Sequence, residues 1–389
     1  MKYLILLCDG MADTPCPCLD GHTPMELARK PHMDALAARG EFGLVRTVPP
    51  GIAPGSDVAN LSILGYDPTK YYTGRSPLEA ANIGVQLADT DVAFRANLVL
   101  LSDEADYTRK TMLDYSAGDI STAAARPLIE RLQQEFGGGA FDFYPGVAYR
   151  HCMIWHGGDT AVAATPPHDI SGRPIKDYLP GEPLLTLMQQ AEAILHPYSL
   201  WLWGQGRRPQ LPSFESLHGL RGAMISAVDL LNGIARLTGM TVCRVEGATG
   251  YIDTNFEGKA AAAAAALADH DFVYIHVEAP DECGHRGEVQ NKIHAIEAID
   301  SRLLTPLLDS LAGTAYTLLI LPDHPTPLAL RTHTSDPVPY LLCRSDANGT
   351  KTSSTPPSAS PIFTEAAAAA TGVYIDNATA LIEHMKSGA

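Results

Sequence analysis

With 389 residues and 46% hydrophobic content, the chain is long enough for two buried cores. A net charge of −16 with no long basic run argues against nucleic acid and anionic membranes as partners, and any phosphorylated substrate would have to be met by local cations or metal ions. No apolar run reaches transmembrane length, the seven cysteines lack paired zinc spacing, and residues 3–8 are too short for a secretory leader; the chain reads as cytoplasmic with reduced thiols, its oligomeric state left open.

Residues 3–8 form an unbroken apolar run that predicts a buried strand ending at Asp9. Thr23-Pro24-Met25-Glu26 suits a helix start, and Leu27, Met33 and Leu36 extend the pattern to Arg39, with Gly40 as its stop. A short strand over 42–47 precedes the Pro/Gly-rich loop 49–55, which enters a helix at Ser56. Leu64-Gly65-Tyr66-Asp67-Pro68 is a turn, and Gly74-Arg75-Ser76-Pro77 leads into a helix. Near residue 86 the character changes. Short β-like runs at 96–101 and 152–155 alternate with helical patterns near 121–135 and 184–195, and none of these runs ends in an acid. The block 87–212 therefore reads as a smaller α+β domain, with 201–209 as its exit linker, inserted in an α/β domain made of 1–86 and 213–389. The larger domain resumes with a helix at 226–237 and a strand at 240–245. Gly258-Lys259 opens a helix carried by the alanines 260–266. A strand at 272–278, a helix at 289–310 with His294 facing outward, a strand at 316–321 and a C-terminal helix at 376–386 follow. Residues 346–361, rich in Ser, Thr and Pro, read as a surface loop.

Three predicted strands end alike. The first stops at Asp9. Another runs into Asp281-Glu282-Cys283-Gly284-His285, in a loop beyond its end. The third meets Pro322-Asp323-His324. One Asp after a strand is ordinarily a turn former or helix cap. Three such endings point to one site, because open α/β sheets bind ligands beyond the carboxyl ends of their strands. Asp9, Asp281, His285, Asp323 and His324, with His333 from the loop 325–337, offer oxygen and nitrogen donors for two divalent ions: Mn²⁺, Mg²⁺ or Zn²⁺.

Ser56 reads either as a helix cap or as a nucleophile at a helix N-terminus, where free amides favour a phosphorylated oxygen. A serine hydroxyl is a weak nucleophile until a metal activates it, so the donor set favours the second reading and in-line displacement at phosphorus. The chain has no G-x-x-x-x-G-K-[ST] loop, which argues against a P-loop kinase. Arg150 and His151 follow Tyr149, and Arg208 follows Arg207. These are either solvated surface or a cationic clamp brought to the metals by domain closure. Lys259 lies in a first helical turn, where the macrodipole disfavours a cation; it is either exposed or directed at an anion.

Taken in order, Asp9-Gly10, Pro54-Gly55-Ser56-Asp57-Val58-Ala59, Trp203-Gly204-Gln205-Gly206, Phe256-Glu257-Gly258-Lys259, Asp281-Glu282-Cys283-Gly284-His285, Pro322-Asp323-His324 and His333-Thr334-Ser335-Asp336-Pro337-Val338-Pro339 resemble the alkaline phosphatase superfamily. Within it they look like the archaeal-type 2,3-bisphosphoglycerate-independent phosphoglycerate mutases, along nearly the whole chain. The resemblance implies an alkaline-phosphatase-like sheet sandwiched by helices, with an inserted α+β domain. It also implies a binuclear site: one metal on Asp9, Ser56, Asp323 and His324, the other on Asp281, His285 and His333. Ser56 would take the phosphoryl group of 3-phosphoglycerate and return it to the 2-hydroxyl, a step of glycolysis. Arg150, His151, Arg208 and Lys259 would be the candidates for holding the substrate's phosphate and carboxylate. The chain departs from the family pattern at 193–201, where members carry an Asn and an Arg followed by a Gly/Pro/Ala stretch before the Trp-rich motif. Relatives with Trp-Gly-Gln-Gly have been proposed to be homoserine kinases, so a phosphotransferase or phosphatase for another small phosphoester is the alternative.

Overall fold

The computed structural model describes residues 1–346 and 362–387; of the expected surface loop 346–361, all but Asp346 lies outside the described residues. The chain divides into two compact units, Met1–Tyr72 with Leu211–Ala389, and Thr73–Gln210. In chain order the strands are β1 (Lys2–Cys8), β2 (Glu41–Val45), β3 (Val92–Leu101), β4 (Met112–Asp114), β5 (Phe141–Val147), β6 (Arg150–Trp155), β7 (Ser199–Gly206), β8 (Gly222–Ile225), β9 (Thr241–Val242), β10 (Phe272–Val277), β11 (Tyr316–Leu321), β12 (Val338–Ser345) and β13 (Tyr374–Ile375).

The first unit is built on an eight-stranded sheet in the order β13-β2-β12-β11-β1-β10-β8-β9. β1 lies between β10 and β11 and runs parallel to both, with Leu7 opposite His276 on one side and Leu321 on the other. That register makes the three carboxyl ends level, so the acids that follow leave the sheet at one edge. These strands are apolar throughout because both faces are covered, as parallel central strands require. On one face Leu4, Leu6, Val273, Ile275 and Leu318 pack against Met33, Phe256, Ala260 and Ile296. Each large side chain buried there contributes roughly 1.5–3 kcal/mol.

Several boundaries differ from the sequence reading, for local reasons. The expected helix to Arg39 is two short ones, Pro24–Leu27 and Pro31–Ala37, because Pro31 restarts the chain as an N-terminal helical residue. Thr23 and Glu26 cap the first reciprocally. The helix predicted over 289–310 runs as Val289–Ala298, then a π segment Ile299–Leu304, then Thr305–Ser310. Pro306 lacks the amide that would continue the ladder, so the wider turn falls just before it. His294 is exposed, as expected. The strand expected over 240–245 shrinks to β9, and the helix expected from Ser226 begins at Asp229. Cys16 and Cys18 form a disulfide, against the expectation of reduced thiols throughout; the 3₁₀ turn opened by Pro17 brings their Cα atoms to 5.2 Å.

The second unit is a five-stranded antiparallel sheet in the order β4-β3-β6-β5, with β7 also pairing β3. The expected exit linker 201–209 is largely strand β7, which buries Trp201 and Trp203 against Leu98 and Phe94. The segment 193–201, where the chain departs from the family pattern, holds the tight connection His196-Pro197-Tyr198 between the helix Leu184–Leu195 and β7. Helices Thr122–Phe136 and Leu184–Leu195 cover one sheet face. Ala80 of the helix Ser76–Asn82 packs with Ala93, Cys152 and Ile154 on the other. That contact takes residues 73–86 into this unit, so the division falls at Tyr72/Thr73 and not at 86/87.

His156 bridges two acids in this unit, 2.9 Å from Asp91 Oδ1 and 2.8 Å from Asp142 Oδ2. Those bonds, Asp142's first, raise its pKa above the ordinary histidine value. The stabilisation is therefore complete below the unfolded value of about 6.5 and is lost as pH rises through the folded one. With the imidazole 41% exposed, it is held to about 0.2–1 kcal/mol. The urea midpoint of His156→Ala is expected to fall below that of the parent at pH 5.5 and to converge with it in alkaline buffer.

Candidate metal centre

The site grows from the three level strand ends of the first unit. Asp9 follows β1 directly. Gly10 then turns with φ +59°, and a Cβ there would lie 2.6 Å from the Asp281 Cα, so only glycine admits the approach of the next element. That element is the helix Ala279–Arg286, in place of the loop expected around Asp281 and His285. Pro280 opens it and Gly287 closes it in the left-handed conformation. Asp281 and His285 thus sit one turn apart on one helical face. Gly284 lets the helix approach the Thr326 carbonyl, which would be 2.6 Å from a Cβ.

Asp323 and His324 follow β11. The loops after β1 and β11 are tied by the buried Lys292, whose Nζ donates to Asp13 Oδ2 at 2.7 Å and to the Thr326 carbonyl at 2.8 Å. Ser56 is the first residue of the helix Ser56–Ile63, and Gly55 occupies the cap position. The serine side chain does not cap the helix. Its Oγ lies 3.2 Å from His324 Nε2 and 3.5 Å from Asp9 Oδ2.

Two donor groups result. Asp281, His285 and His333 make one, and Asp9, Asp281 and His324 the other; within each, the ligand atoms lie within 4.8 Å of one another. His285 Nδ1 donates to the Arg331 carbonyl at 3.0 Å, which leaves Nε2 facing His333 Nε2 at 2.8 Å and Asp281 Oδ2 at 3.2 Å. Asp323 Oδ1 accepts from the amides of Gly10 and His324, and Oδ2 from Asn60 Nδ2. Asp9 Oδ1 is buried without a hydrogen-bond partner.

The electrostatics fit a cation. Burial, then the charges of Asp323 and Asp281, push Asp9 well above the usual carboxylate range. Burial alone would raise Asp281 too, but bonds from His285 and His333 hold it well below. Burial drives His324 down. Burial also opposes the charge on His285, yet its bond to Asp281 and that charge raise it to about 9. An unpartnered buried carboxylate oxygen beside imidazole nitrogens and a second acid is the donor chemistry of a divalent metal site.

A family model described as 2,3-bisphosphoglycerate-independent phosphoglycerate mutase matches residues 37–199. A Geobacter sulfurreducens protein named "Probable 2,3-bisphosphoglycerate-independent phosphoglycerate mutase" is 53% identical over 88% of this chain and 90% of its own. The chain belongs to this mutase family. A Methanosarcina barkeri member is 48% identical over 89% of this chain and 91% of its own. Among solved structures, a Pyrococcus horikoshii protein matches with TM-score 0.81 and 28% identity over 99% of this chain and 96% of its own. The cofactor-independent phosphoglycerate mutase of Thermoplasma acidophilum matches in fold, with TM-score 0.61 and 23% identity over 99% and 98%. The fold is thus the alkaline-phosphatase-like one of this mutase family, as the motifs implied.

The expected substrate residues fall differently. Arg150, His151 and Arg208 belong to the second unit, where both arginines are exposed. His151 is buried, which pushes it down to about 3, and its Nδ1 accepts from the Gly146 amide at 3.0 Å. Lys259 is neither exposed nor directed at an anion: it is fully buried and donates to the His276 carbonyl at 2.7 Å. Sequence reasoning passed over Arg95, which is buried on β3 and bonds Glu79 Oε1 at 2.7 Å, with Arg75 on the same oxygen at 2.8 Å. An arginine inside an apolar strand was the available signal. Thr326, Asn60 and His276, which hold the three carboxylates, were likewise hidden in motif gaps and apolar runs.

An ion at the His285 group competes with the proton that His285 holds up to about pH 9 in its absence. Apparent Mn²⁺ affinity, measured by titration calorimetry from pH 6.5 to 8.5, is expected to rise with pH, by about tenfold per unit for one displaced proton. Affinity that is flat with pH would contradict the arrangement.

Proposed function

We propose that the chain interconverts 3-phosphoglycerate and 2-phosphoglycerate without bisphosphoglycerate, by way of a phosphoserine at Ser56. The observation that carries this is the Ser56 hydroxyl, 3.2 Å from His324 Nε2 beside the Asp9 carboxylate, in a chain 53% identical to a relative bearing the mutase name. Two divalent ions, Mn²⁺, Mg²⁺ or Zn²⁺, fit the donors. Asp9, Ser56, Asp323 and His324 would hold one, and Asp281, His285 and His333 the other. When bound, such ions supply Lewis-acid stabilisation of the serine oxygen and of the charge on a transferring phosphoryl group.

The chain's own groups do the rest. Ser56 Oγ attacks phosphorus; a bond forms to Oγ as the bond to the substrate's 3-oxygen breaks. The serine proton passes to the departing 3-oxygen. The 2-hydroxyl then attacks the phosphoserine as its O–P bond to Oγ breaks, and the proton it gives up restores the Ser56 hydroxyl. The position of Ser56 at the start of an eight-residue helix directs unpaired amides and the positive dipole end toward the phosphoryl group. The first unit is the metal-binding catalytic unit. The second is the substrate-recognising unit, with Arg150 and Arg208 as its candidates for the phosphate and carboxylate. Lys259 and His151, both buried, are braces in this reading, not ligands. No feature of the site and neither mutase relative favours a homoserine-kinase-like acceptor.

A coupled assay of 2-phosphoglycerate formation, with Mn²⁺ and no bisphosphoglycerate, tests the reading on parent and Ser56→Ala proteins. Parent activity is expected, with a loss in the variant of about 10³-fold or more, and abolition by chelation. A metal-loaded parent inert toward both phosphoglycerates would overturn it.

A further inference from the structure

β10 is apolar except at two alternate positions, Tyr274 and His276, which share one face of the sheet and are fully buried. Polar groups buried in a central parallel strand are costly unless every hydrogen bond is made, so their partners matter. His276 Nε2 lies 2.8 Å from Asp9 Oδ2, and Nδ1 lies 3.1 Å from Ser226 Oγ. Ser226 is the residue after β8, the parallel neighbour of β10. Its Oγ already accepts from the Val228 amide at 3.0 Å, so its proton is free for Nδ1. One assignment then satisfies every atom: Val228 N–H to Ser226, Ser226 O–H to Nδ1, and Nε2–H to Asp9.

Tyr274 serves the other carboxylate. Its hydroxyl donates to Asn60 Oδ1 at 2.5 Å, while Asn60 Nδ2 donates to Asp323 Oδ2 at 3.0 Å and to the Ser56 carbonyl at 2.7 Å. Two acceptors on one side demand the NH₂ group there, which fixes the amide.

We propose that the buried pair Tyr274 and His276 positions the metal-binding carboxylates, His276 with Ser226 fixing Asp9 and Tyr274 through Asn60 fixing Asp323 and the Ser56 backbone. His276 occupies one oxygen of Asp9 and leaves the other, Oδ1, buried without a hydrogen-bond partner and available to an ion. A bond to one carboxylate oxygen removes the torsional freedom of the other, and partners of this kind carry 10–100-fold in metal affinity (roughly). These residues are buried and act through the carboxylates and backbone they bond; they are positioning residues. The proposal rests on the metal-centre reading above.

Mn²⁺ titration calorimetry on metal-stripped protein tests it, with urea midpoints of the stripped proteins alongside. His276→Leu is expected to bind Mn²⁺ roughly 10–100-fold more weakly than the parent. His276→Gln, whose amide reaches as far as Nε2, should restore most of the affinity, and His276→Asn, which is too short, should not. In the coupled assay the loss should fall on kcat, with KM for phosphoglycerate unchanged, and excess Mn²⁺ should recover it in a variant whose stripped-protein urea midpoint matches the parent, a recovery that unfolding alone would not give. Should His276→Leu fail to fold, the Gln/Asn pair and Ser226→Ala carry the comparison. Equal affinity across the Gln and Asn variants, or parental affinity in His276→Leu, would overturn the proposal. A parent that binds no divalent ion would instead overturn the metal centre, and the proposal with it.

Discussion

Three carboxylates, Asp9, Asp281 and Asp323, are crowded at one buried sheet edge, and among the described residues no lysine or arginine side chain bonds to them. Two unit charges 4.8 Å apart, the limit within the Asp9–Asp281 group, repel by about 3.5 kcal/mol at an effective dielectric of ~20. The imidazoles answer this only where they hold a proton: His285 does, while His276, pushed down to about 3, does not. Such a site is tolerable when a multivalent cation completes it. Much of the first unit follows from this constraint: the level strand ends, the glycine at position 10, and the neutral donors turned toward individual carboxylate oxygens.

How much of this was legible depended on where the chemistry lay along the chain. β1, β10 and β11 were readable because strands covered on both faces are continuous apolar runs, and the acids stood where the runs stopped. The helix bearing Asp281 and His285 follows its strand so closely that the stretch reads as a loop, although Pro280, Gly287 and the four-residue spacing all suit a helix. Pro31 split a helix whose apolar periodicity continued past it, because periodicity registers side chains and not the missing amide. His276 and Tyr274 lie inside the apolar run of β10. A polar residue within an apolar run looks like noise until its partner, hundreds of residues away in the chain for Asp9 and Asn60, is known.

The second unit shows the converse. Its sheet is antiparallel, its strands are irregular at Ala93/Arg95 and Tyr144/Val147, and its longest expected linker is a strand. Arg95 over the Trp203 ring, 5.0 Å from its centroid, and paired with Glu79, is both a cation and a core residue. Composition separates those roles, and packing joins them. The boundary near 86 moved for the same reason: the helix Ser76–Asn82 belongs with the sheet it covers.

Lys292, buried between the loops after β1 and β11, has a consequence for how the candidate site answers to changes outside it. Its bonds to Asp13 and to the Thr326 carbonyl, with Thr326 Oγ1 on Asp281 Oδ1 at 2.5 Å, couple the two donor loops. The ammonium itself bonds no candidate ligand, yet both donor loops meet on it. Replacing it with an uncharged side chain would leave Asp13 buried without its counter-charge, and the disturbance would pass through Thr326 to Asp281.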